Sequence, residues 1–347
     1  LSRVVDETTT IPGTAGTLFS SLYGATISGG AVAFMGGGSG AGGIYTDLGG
    51  SLTVVADRNT RIPEGVGDFF LFNQIGAISG TEVALAGSNF DGERGVYKTV
   101  DGTLTRVADR TMSAPGLGGQ FESFDQLAFS QDHVAFRGMN TDYQTAVYTD
   151  LGGSLRVVAQ PDDTAPDAGF GFESFGSTSI GGDQIAFSGD WGLGVGIYRE
   201  NGGVLEVVAD TNTPRPEGGG DMSFLEGLAV GEDGSVAFLG ADDMAEAVLY
   251  TTLGGELTRV IAVGDELPES GGQIITDLGL GPFGVSGDQI AFFARAGATQ
   301  GVYVATIPEP ATLKRRRVGA WKISTSSESA DHGSHESERG QPEQHDE

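Results

Sequence analysis

The sequence is poor in the residues that most often perform catalysis or bind metals through nitrogen and sulfur. Its 347 residues include no cysteine, which excludes disulfide bonds and thiolate metal sites. Only four histidines are present, and His133 is the one that precedes the C-terminal tail. A Ser-His-Asp triad or a histidine-based metal site is therefore not expected.

Basic residues and long hydrophobic runs are also scarce. The chain has 19 lysines and arginines against 47 aspartates and glutamates, a formal net charge of −28. A surface this acidic repels nucleic acid and favours cations, so we predict no nucleic-acid partner. No stretch of about 18 consecutive apolar residues is present, so the sequence predicts no membrane span.

Glycine is abundant, with 59 residues, and it punctuates a pattern that recurs about every 50 residues. Each repeat contains one strand pattern with a fixed alanine and another that ends in tyrosine. The alanines are Ala33, Ala84, Ala135, Ala186, Ala237 and Ala291, and the tyrosines are Tyr45, Tyr97, Tyr148, Tyr198, Tyr250 and Tyr303. Gly-Gly or Asp-Gly pairs after the tyrosine strands permit the positive φ of tight hairpins, so each repeat is predicted to hold four strands.

Six such repeats resemble six-bladed β-propeller proteins, an all-β fold of four-stranded blades, here predicted over residues 1–306. The chain opens on an outer strand, residues 1–6, and its last repeat ends at Thr306 without one. The N-terminal strand is therefore predicted to complete the last blade and close the ring. Near-copies of Asp6, such as Asp57, are predicted to hold turns rather than to perform chemistry.

Residues 307–347 form a polar segment that is predicted to be a disordered tail. Its start, Pro308-Glu309-Pro310, resembles the PEP-CTERM sorting signal of exported proteins in Gram-negative bacteria, and a basic cluster follows at residues 314–317. The apolar helix that separates these two features in that family is missing here. The resemblance implies a protein that is secreted or located at the cell surface of a Gram-negative bacterium.

A glycine-rich turn that begins with proline, such as PEGVGDFF at residues 63–70, joins the outer strand of one repeat to the inner strand of the next. We call it the crossover turn, and in a propeller it lies at the mouth of the central channel. The residues five positions after each proline are Thr17, Asp68, Gln120, Gly171, Asp221 and Gln273. They are predicted to form a mostly polar ring around the axis.

Further along the inner strands lie Asn73, Asp125, Glu226 and Asp277. Carboxylate and amide oxygens that converge from several strands suit Ca²⁺, which binds six to eight oxygen ligands. These four residues are the predicted metal ligands. The alternative is that they hydrate the channel and hydrogen-bond to the neighbouring blade.

Two functions remain open at this point. The pattern resembles the six-bladed propeller lactonases, which implies an exported calcium-dependent hydrolase of lactones or similar esters. The metal would polarise the carbonyl group, and Asp68 or Asp221 would activate water as the catalytic base. The alternative is a non-catalytic surface propeller, predicted to be a monomer, that binds glycan or protein through its variable loops, where Trp191 could stack on a sugar ring.

Overall fold

The structure is a computed structural model that describes residues 3–241, 246–268, 271–297 and 299–307. In these residues the regular elements are β-strands, which form six antiparallel sheets of four strands each. The sheets follow one another in chain order around a common axis. The predicted all-β propeller with six blades is therefore confirmed. None of the described residues belongs to a helix long and apolar enough to cross a membrane.

Each of the first five blades runs from an inner strand at the axis, through a second and a third strand, to an outer strand at the rim. Blades 1 and 2 contain β1 (Ser21–Ser28), β2 (Ala31–Gly38), β3 (Ala41–Thr46), β4 (Thr53–Asp57), β5 (Leu71–Ser79), β6 (Glu82–Ser88), β7 (Arg94–Val100) and β8 (Thr103–Asp109). Blades 3 and 4 contain β9 (Phe121–Ser130), β10 (His133–Asn140), β11 (Thr145–Thr149), β12 (Arg156–Ala159), β13 (Ser174–Gly181), β14 (Gln184–Asp190), β15 (Val195–Asn201) and β16 (Val204–Asp210). Blades 5 and 6 contain β17 (Leu225–Val230), β18 (Val236–Ala241), β19 (Ala247–Thr251), β20 (Thr258–Ala262), β21 (Ile275–Gly279), β22 (Val285–Ser286), β23 (Gln289–Ala296) and β24 (Thr299–Thr306).

One aromatic contact recurs at the centre of the first four blades. A phenylalanine at the end of the crossover turn meets the tyrosine of the third strand edge-on, with ring centroids 4.9 to 5.1 Å apart. The pairs are Phe19 with Tyr45, Phe69 with Tyr97, Phe121 with Tyr148 and Phe172 with Tyr198. A glycine in the second strand makes room for them, since a Cβ at Gly138 would lie 2.8 Å from the Phe121 ring and 2.9 Å from the Tyr148 ring.

Consecutive blades are joined by apolar packing and by hydrogen bonds near the axis. Five clusters of buried apolar side chains each span two neighbouring blades, from blades 1 and 2 to blades 5 and 6. The hydroxyl of Ser28 accepts a hydrogen bond from Gly80 N of the next blade at 3.1 Å, and Ser79 accepts one from Gln131 N at 2.9 Å. The blades therefore stack through one repeated arrangement.

The crossover turns are held by the aspartates that the sequence assigns to structure. The Asp57 carboxylate accepts hydrogen bonds from Asn59 N and from the Thr60 hydroxyl, both at 2.9 Å. Asp210 repeats the arrangement with Asn212 N and Thr213. The structural role predicted for these aspartates is confirmed.

Blade 6 departs from the predicted ring closure. Its four strands arise because the inner strand is split, so that β21 and β22 both pair with β23. Residues 3–6 form no strand, and within the described residues no strand pairs with the outer side of β24. The prediction that the N-terminal strand completes the last blade was wrong. Val5 instead packs, partly buried, against the apolar cluster of blade 1 that contains Phe19, Phe34 and Tyr45.

The split in blade 6 brings a new segment to the axis. Residues 280–284 separate β21 from β22, and the carbonyl of Pro282 accepts a hydrogen bond of 2.8 Å from the hydroxyl of Ser179 in blade 4. Blades 4 and 6 are not neighbours, so this segment reaches across the end of the channel where the inner and second strands are joined.

The buried carboxylate of Asp109 makes the fold sensitive to acid. Burial opposes its ionisation, but hydrogen bonds from Thr111 and Arg106 outweigh burial and lower the pKa of Asp109 below its ordinary value. A carboxyl group with a lowered pKa stabilises the fold above its unfolded pKa, and this contribution is lost as the pH falls through the folded pKa. We expect Asp109→Asn to lower the free energy of unfolding at pH 7 by about 1–3 kcal/mol.

This difference should shrink as the pH falls below the ordinary pKa of an aspartate, because the unfolded chain then binds a proton first, and it should vanish once the pH falls through the lowered pKa of folded Asp109. Urea unfolding at several pH values measures it, and Asp101→Asn, at an exposed hairpin turn, is the control. A difference that stays constant down to the lowest pH would contradict the assignment.

Candidate functional site

The six residues predicted to act as bases or metal ligands are all exposed to solvent. Asp68 and Asp221 lie at the ends of crossover turns, where each forms an isolated backbone bridge, to Arg61 and Pro214 respectively. They enter blades 2 and 5, which lie on opposite sides of a six-bladed ring. The geometry therefore does not bring the two carboxylates together as a pair.

The same backbone bridges define the ring of residues at the channel mouth. The bridged residues are Leu18, Asp68, Gln120, Gly171, Asp221 and Ile274. In the first and last crossover turns the sequence predicted Thr17 and Gln273 as members of this ring. These two turns have one more residue between the proline and the bridged residue, so Leu18 and Ile274 take the places. Leu18 and Ile274 are both exposed apolar residues, so the mouth is less polar than the sequence suggested.

The predicted metal ligands do not share one level of the channel. In blades 2, 3 and 5, one inner-strand residue pairs with the recurring glycine of the second strand, and the predicted ligand is the next residue along the chain: Asn73, Asp125 or Glu226. In blade 6 the equivalent pair is Leu278 with Ala294, and the predicted ligand, Asp277, is the residue before it. Asp277 is thus two residues nearer the start of its strand. A β-bulge interrupts the inner strand close to these positions, and such bulges change the direction of neighbouring side chains.

Asp125 is already bound by a cation. The Arg137 guanidinium donates to both carboxylate oxygens at 2.6 and 2.7 Å, and its third nitrogen donates to Phe175 O of blade 4 at 2.6 Å. The hydrogen bonds to Asp125 raise the pKa of Arg137. Among the described residues, no three histidine, aspartate or glutamate side chains lie close enough to hold a metal ion. The calcium site therefore stays a prediction that this geometry does not support.

A different site emerges between blades 1 and 2, on the mouth side of the ring. We call this cavity of about 260 Å³ the interblade cleft, and residues of β1, β2, β3 and the following crossover turn line it. Its floor is the strand pair Gly37–Gly42. At the same place the next three blades pair Ser88 with Arg94, Met139 with Thr145 and Asp190 with Val195. The cleft exists because blade 1 lacks these side chains.

Aromatic side chains and one arginine form the walls of the interblade cleft. Tyr23 is 56% exposed and Phe70 is 38% exposed. The Arg58 guanidinium lies 5.0 Å above the Phe70 ring, while its Nε donates to Phe70 O at 3.1 Å and its Nη1 to Gly40 O at 3.4 Å. These contacts fix the plane of the guanidinium and leave further N–H groups to donate to a ligand.

The aromatic surface continues beyond the cleft onto the loop between the second and third strands of blade 2. Phe90, on this loop, is 79% exposed and meets the Phe70 ring edge-on at 5.1 Å. Exposed aromatic side chains next to an arginine are typical of binding surfaces. The polar residues of the sequence did not indicate this cleft, and its signal was the glycine-rich run at residues 36–43.

Trp191, which the sequence offered as a ring that could stack on a sugar, is buried in the structure. Trp191 is 5% exposed and packs against Tyr198 with ring centroids 6.2 Å apart, so it belongs to the core and is not free to stack on a ligand. Residues 308–347, which contain the sorting-signal resemblance and nearly all of the predicted disordered tail, lie outside the described residues.

The molecule is thus a six-bladed β-propeller with one side-chain-poor cleft beside its mouth. The family model described as "Family of unknown function (DUF7453)" matches residues 1–136 and again residues 126–283, and the chain belongs to this family. A comparison with curated proteins finds no match.

Solved structures share the fold at low sequence identity. The β-propeller domain of the Trilobed protease from Pyrococcus furiosus, which has an open velcro topology, is 11% identical with a TM-score of 0.50, over 83% of this chain and 82% of that one. A puromycin-hydrolyzing peptidase from Mycobacterium tuberculosis is 15% identical with a TM-score of 0.46, and the match covers 84% of this chain but 45% of the peptidase. The SapL1 lectin, solved with alpha methyl fucoside, is 12% identical with a TM-score of 0.38, over 82% of this chain and 95% of the lectin. These likenesses show the fold alone.

The ion pair of Asp125 leads to a stability prediction. Asp125→Asn removes the charge that Arg137 binds, and because the Asp125 side chain is 50% exposed we expect the free energy of unfolding to fall by about 0.5–1 kcal/mol. Glu226→Gln is the matched control at the equivalent position of blade 5, where Glu226 pairs with Leu239, and we expect it to change stability by less than about 0.5 kcal/mol. Urea unfolding with calcium and with chelator measures both. Equal losses in calcium that disappear on chelation would instead identify the two residues as metal ligands.

Proposed function

We propose that this protein is a non-catalytic propeller that binds a neutral sugar in the interblade cleft. The observation that carries the proposal is a floor without side chains, Gly37–Gly42, set between aromatic walls and a fixed arginine. Within the described residues, Asp68 and Asp221 are not joined by further side chains that could act with them in catalysis. A recognition function is therefore better supported than a chemical one.

The chemistry of the cleft matches that of a sugar ring, which has an apolar C–H face and an edge of hydroxyl groups. Tyr23 and Phe70 offer aromatic faces to the apolar side, and Arg58 offers N–H donors to the hydroxyl groups. Ser20 and Ser21 add hydroxyl groups at the rim. At about 260 Å³ the cleft is just below the range of drug-sized ligand pockets, so it suits one sugar residue of a longer chain.

The charge of the protein narrows the ligand class. A formal net charge of −28 repels anionic polysaccharides at long range, which favours neutral glycans. The predicted export to the cell surface, which rests on the resemblance of residues 308–310 to a sorting signal, fits a role in contact with extracellular glycans.

Calcium-dependent hydrolysis of lactones or similar esters remains the second hypothesis, with Asp68 or Asp221 as base. Its support is the acidic character of the chain and the exposed carboxylates near the channel. It predicts turnover of a panel of lactones and aryl esters that chelation abolishes and added calcium restores, and loss of about 100-fold or more on Asp68→Asn or Asp221→Asn. Unchanged turnover after chelation, or no turnover at all, contradicts it.

Substitutions in the cleft test sugar binding directly. An array of neutral oligosaccharides identifies a bound glycan, and titration calorimetry then measures its affinity. We expect Arg58→Ala and Tyr23→Ala to weaken binding about tenfold or more, since each removes a polar or aromatic contact.

Gly42→Thr should abolish binding without unfolding the protein. A Cβ at Gly42 would meet its nearest neighbour, Arg58 Nε, at 3.8 Å, and Thr145 occupies the equivalent position in blade 3. Phe170→Ala, an exposed aromatic residue of another crossover turn, is the control and should bind normally. Full binding by Gly42→Thr would place the glycan site elsewhere and overturn the proposal.

A further inference from the structure

The mouth side of blade 1 has a second hollow next to the interblade cleft. It has a volume of about 710 Å³, within the range of small-molecule pockets, and we call it the blade 1 hollow. Its lining consists of Glu7, residues 15–20 of the crossover turn, and Ser39 of the hairpin turn between β2 and β3. Ser20 lines both the hollow and the interblade cleft, so the two spaces adjoin.

The boundary between the two spaces is a serine where blade 2 has an aromatic residue. Phe19 and Phe69 make the same contact with the third-strand tyrosine of their blades, so the residues that follow them, Ser20 and Phe70, are equivalent. Phe70 is a wall of the interblade cleft, whereas Ser20 is exposed and carries only a hydroxyl group. A bound chain can therefore continue from the cleft over Ser20 into the blade 1 hollow.

The hollow and the cleft carry opposite charges at equivalent positions. Glu7 and Arg58 each directly follow a turn aspartate whose carboxylate accepts a hydrogen bond from the N–H two positions further along the chain. Arg110 holds the same place in the next crossover turn. Of the described residues that line the hollow, Glu7 alone is ionisable. Blade 1 therefore presents a carboxylate where the next two crossover turns have an arginine.

The Glu7 carboxylate is open to a ligand. Glu7 is exposed, and no described residue forms an ion pair or a hydrogen bond with its carboxylate. The carboxylates of Glu122 and Asp125, by contrast, are bound by arginines. The formal net charge of −28 adds a long-range attraction for cations, so a cationic group is favoured in the hollow.

The remaining lining of the hollow is suited to a sugar ring. Leu18 is 48% exposed and offers an apolar contact to the C–H face of a ring. Thr17, Ser20 and Ser39 offer hydroxyl groups, which both donate and accept hydrogen bonds. A sugar that satisfies these contacts and also carries a positive charge is an amino sugar.

We propose that the interblade cleft and the blade 1 hollow are two subsites of one groove, and that Glu7 selects an amino sugar with a protonated amino group in the hollow. The inference rests on the proposed function, because it takes the cleft as the subsite of the neutral sugar. The ligand class is then an oligosaccharide in which an amino sugar is linked to a neutral one. Arg58 repels the amino group from the cleft, so such a chain binds in one direction.

Oligosaccharides of glucosamine test the hollow, because their amino groups are either free or acetylated on the same backbone. The probes are a partly N-acetylated tetrasaccharide and its fully acetylated counterpart, at about pH 6, where a sugar amine is protonated. We expect the wild-type protein to bind the partly acetylated probe about two- to fivefold more tightly in titration calorimetry, which corresponds to an exposed ion pair. The preference should shrink at about 0.5 M salt.

Glu7→Gln should abolish this preference and leave the affinity for the fully acetylated probe unchanged, since it removes the charge at nearly constant shape. Glu256→Gln, at the exposed hairpin turn between β19 and β20, is the matched control and should keep the preference. Both positions are exposed, so neither substitution should shift the melting temperature by more than about 2 °C.

The outcomes separate this inference from the proposed function. Equal affinity of the wild-type protein for the two probes, a preference that survives Glu7→Gln, or no binding of the partly acetylated probe overturns the amino-sugar subsite. In each of these cases the array of neutral oligosaccharides and Gly42→Thr still decide whether the cleft binds a sugar. Loss of the preference in Glu7→Gln together with full binding by Gly42→Thr overturns the proposed function and, with it, the shared groove.

Discussion

The structure depends on one steric constraint, the edge-on meeting of a phenylalanine and a tyrosine above a glycine. Where Phe121 meets Tyr148, even a methyl group on Gly138 would collide with both rings. In each of the first four blades the contact holds the end of the crossover turn, where the inner strand begins, against the third strand. It thereby fixes the path by which the chain enters the blade. Repetition of this contact gives the first four blades the same shape, and blades of the same shape stack into a ring.

How far the sequence predicts this architecture can be judged from particular residues. The recurring alanines and tyrosines define the strand order and the number of blades because period and turn chemistry are local properties. The placement of residues 3–6 was not predictable in this way, since it depends on the packing of Val5 against side chains distant in sequence, such as Phe34 and Tyr45. Likewise, Trp191 looked available for stacking because its burial depends on the neighbouring tyrosine and not on its own loop.

The candidate site was harder to predict than the fold, for a related reason. A polar side chain does not by itself mark a site, because the carboxylate of Asp125 is bound by Arg137, and this contact depends on how the inner and second strands pair. The interblade cleft arises from absent side chains at Gly37 and Gly42, and an absence is visible only when the paired strands of several blades are compared. A repeat protein that keeps one architecture in every blade gains a distinct site when one copy departs from the others.

The segment between β21 and β22 has a consequence for the axis of the molecule. By reaching from blade 6 to the Ser179 hydroxyl of blade 4, it narrows one end of the central channel. The axial space is therefore crossed at this end by a contact between blades that are not neighbours, which favours access to the axis from the mouth side.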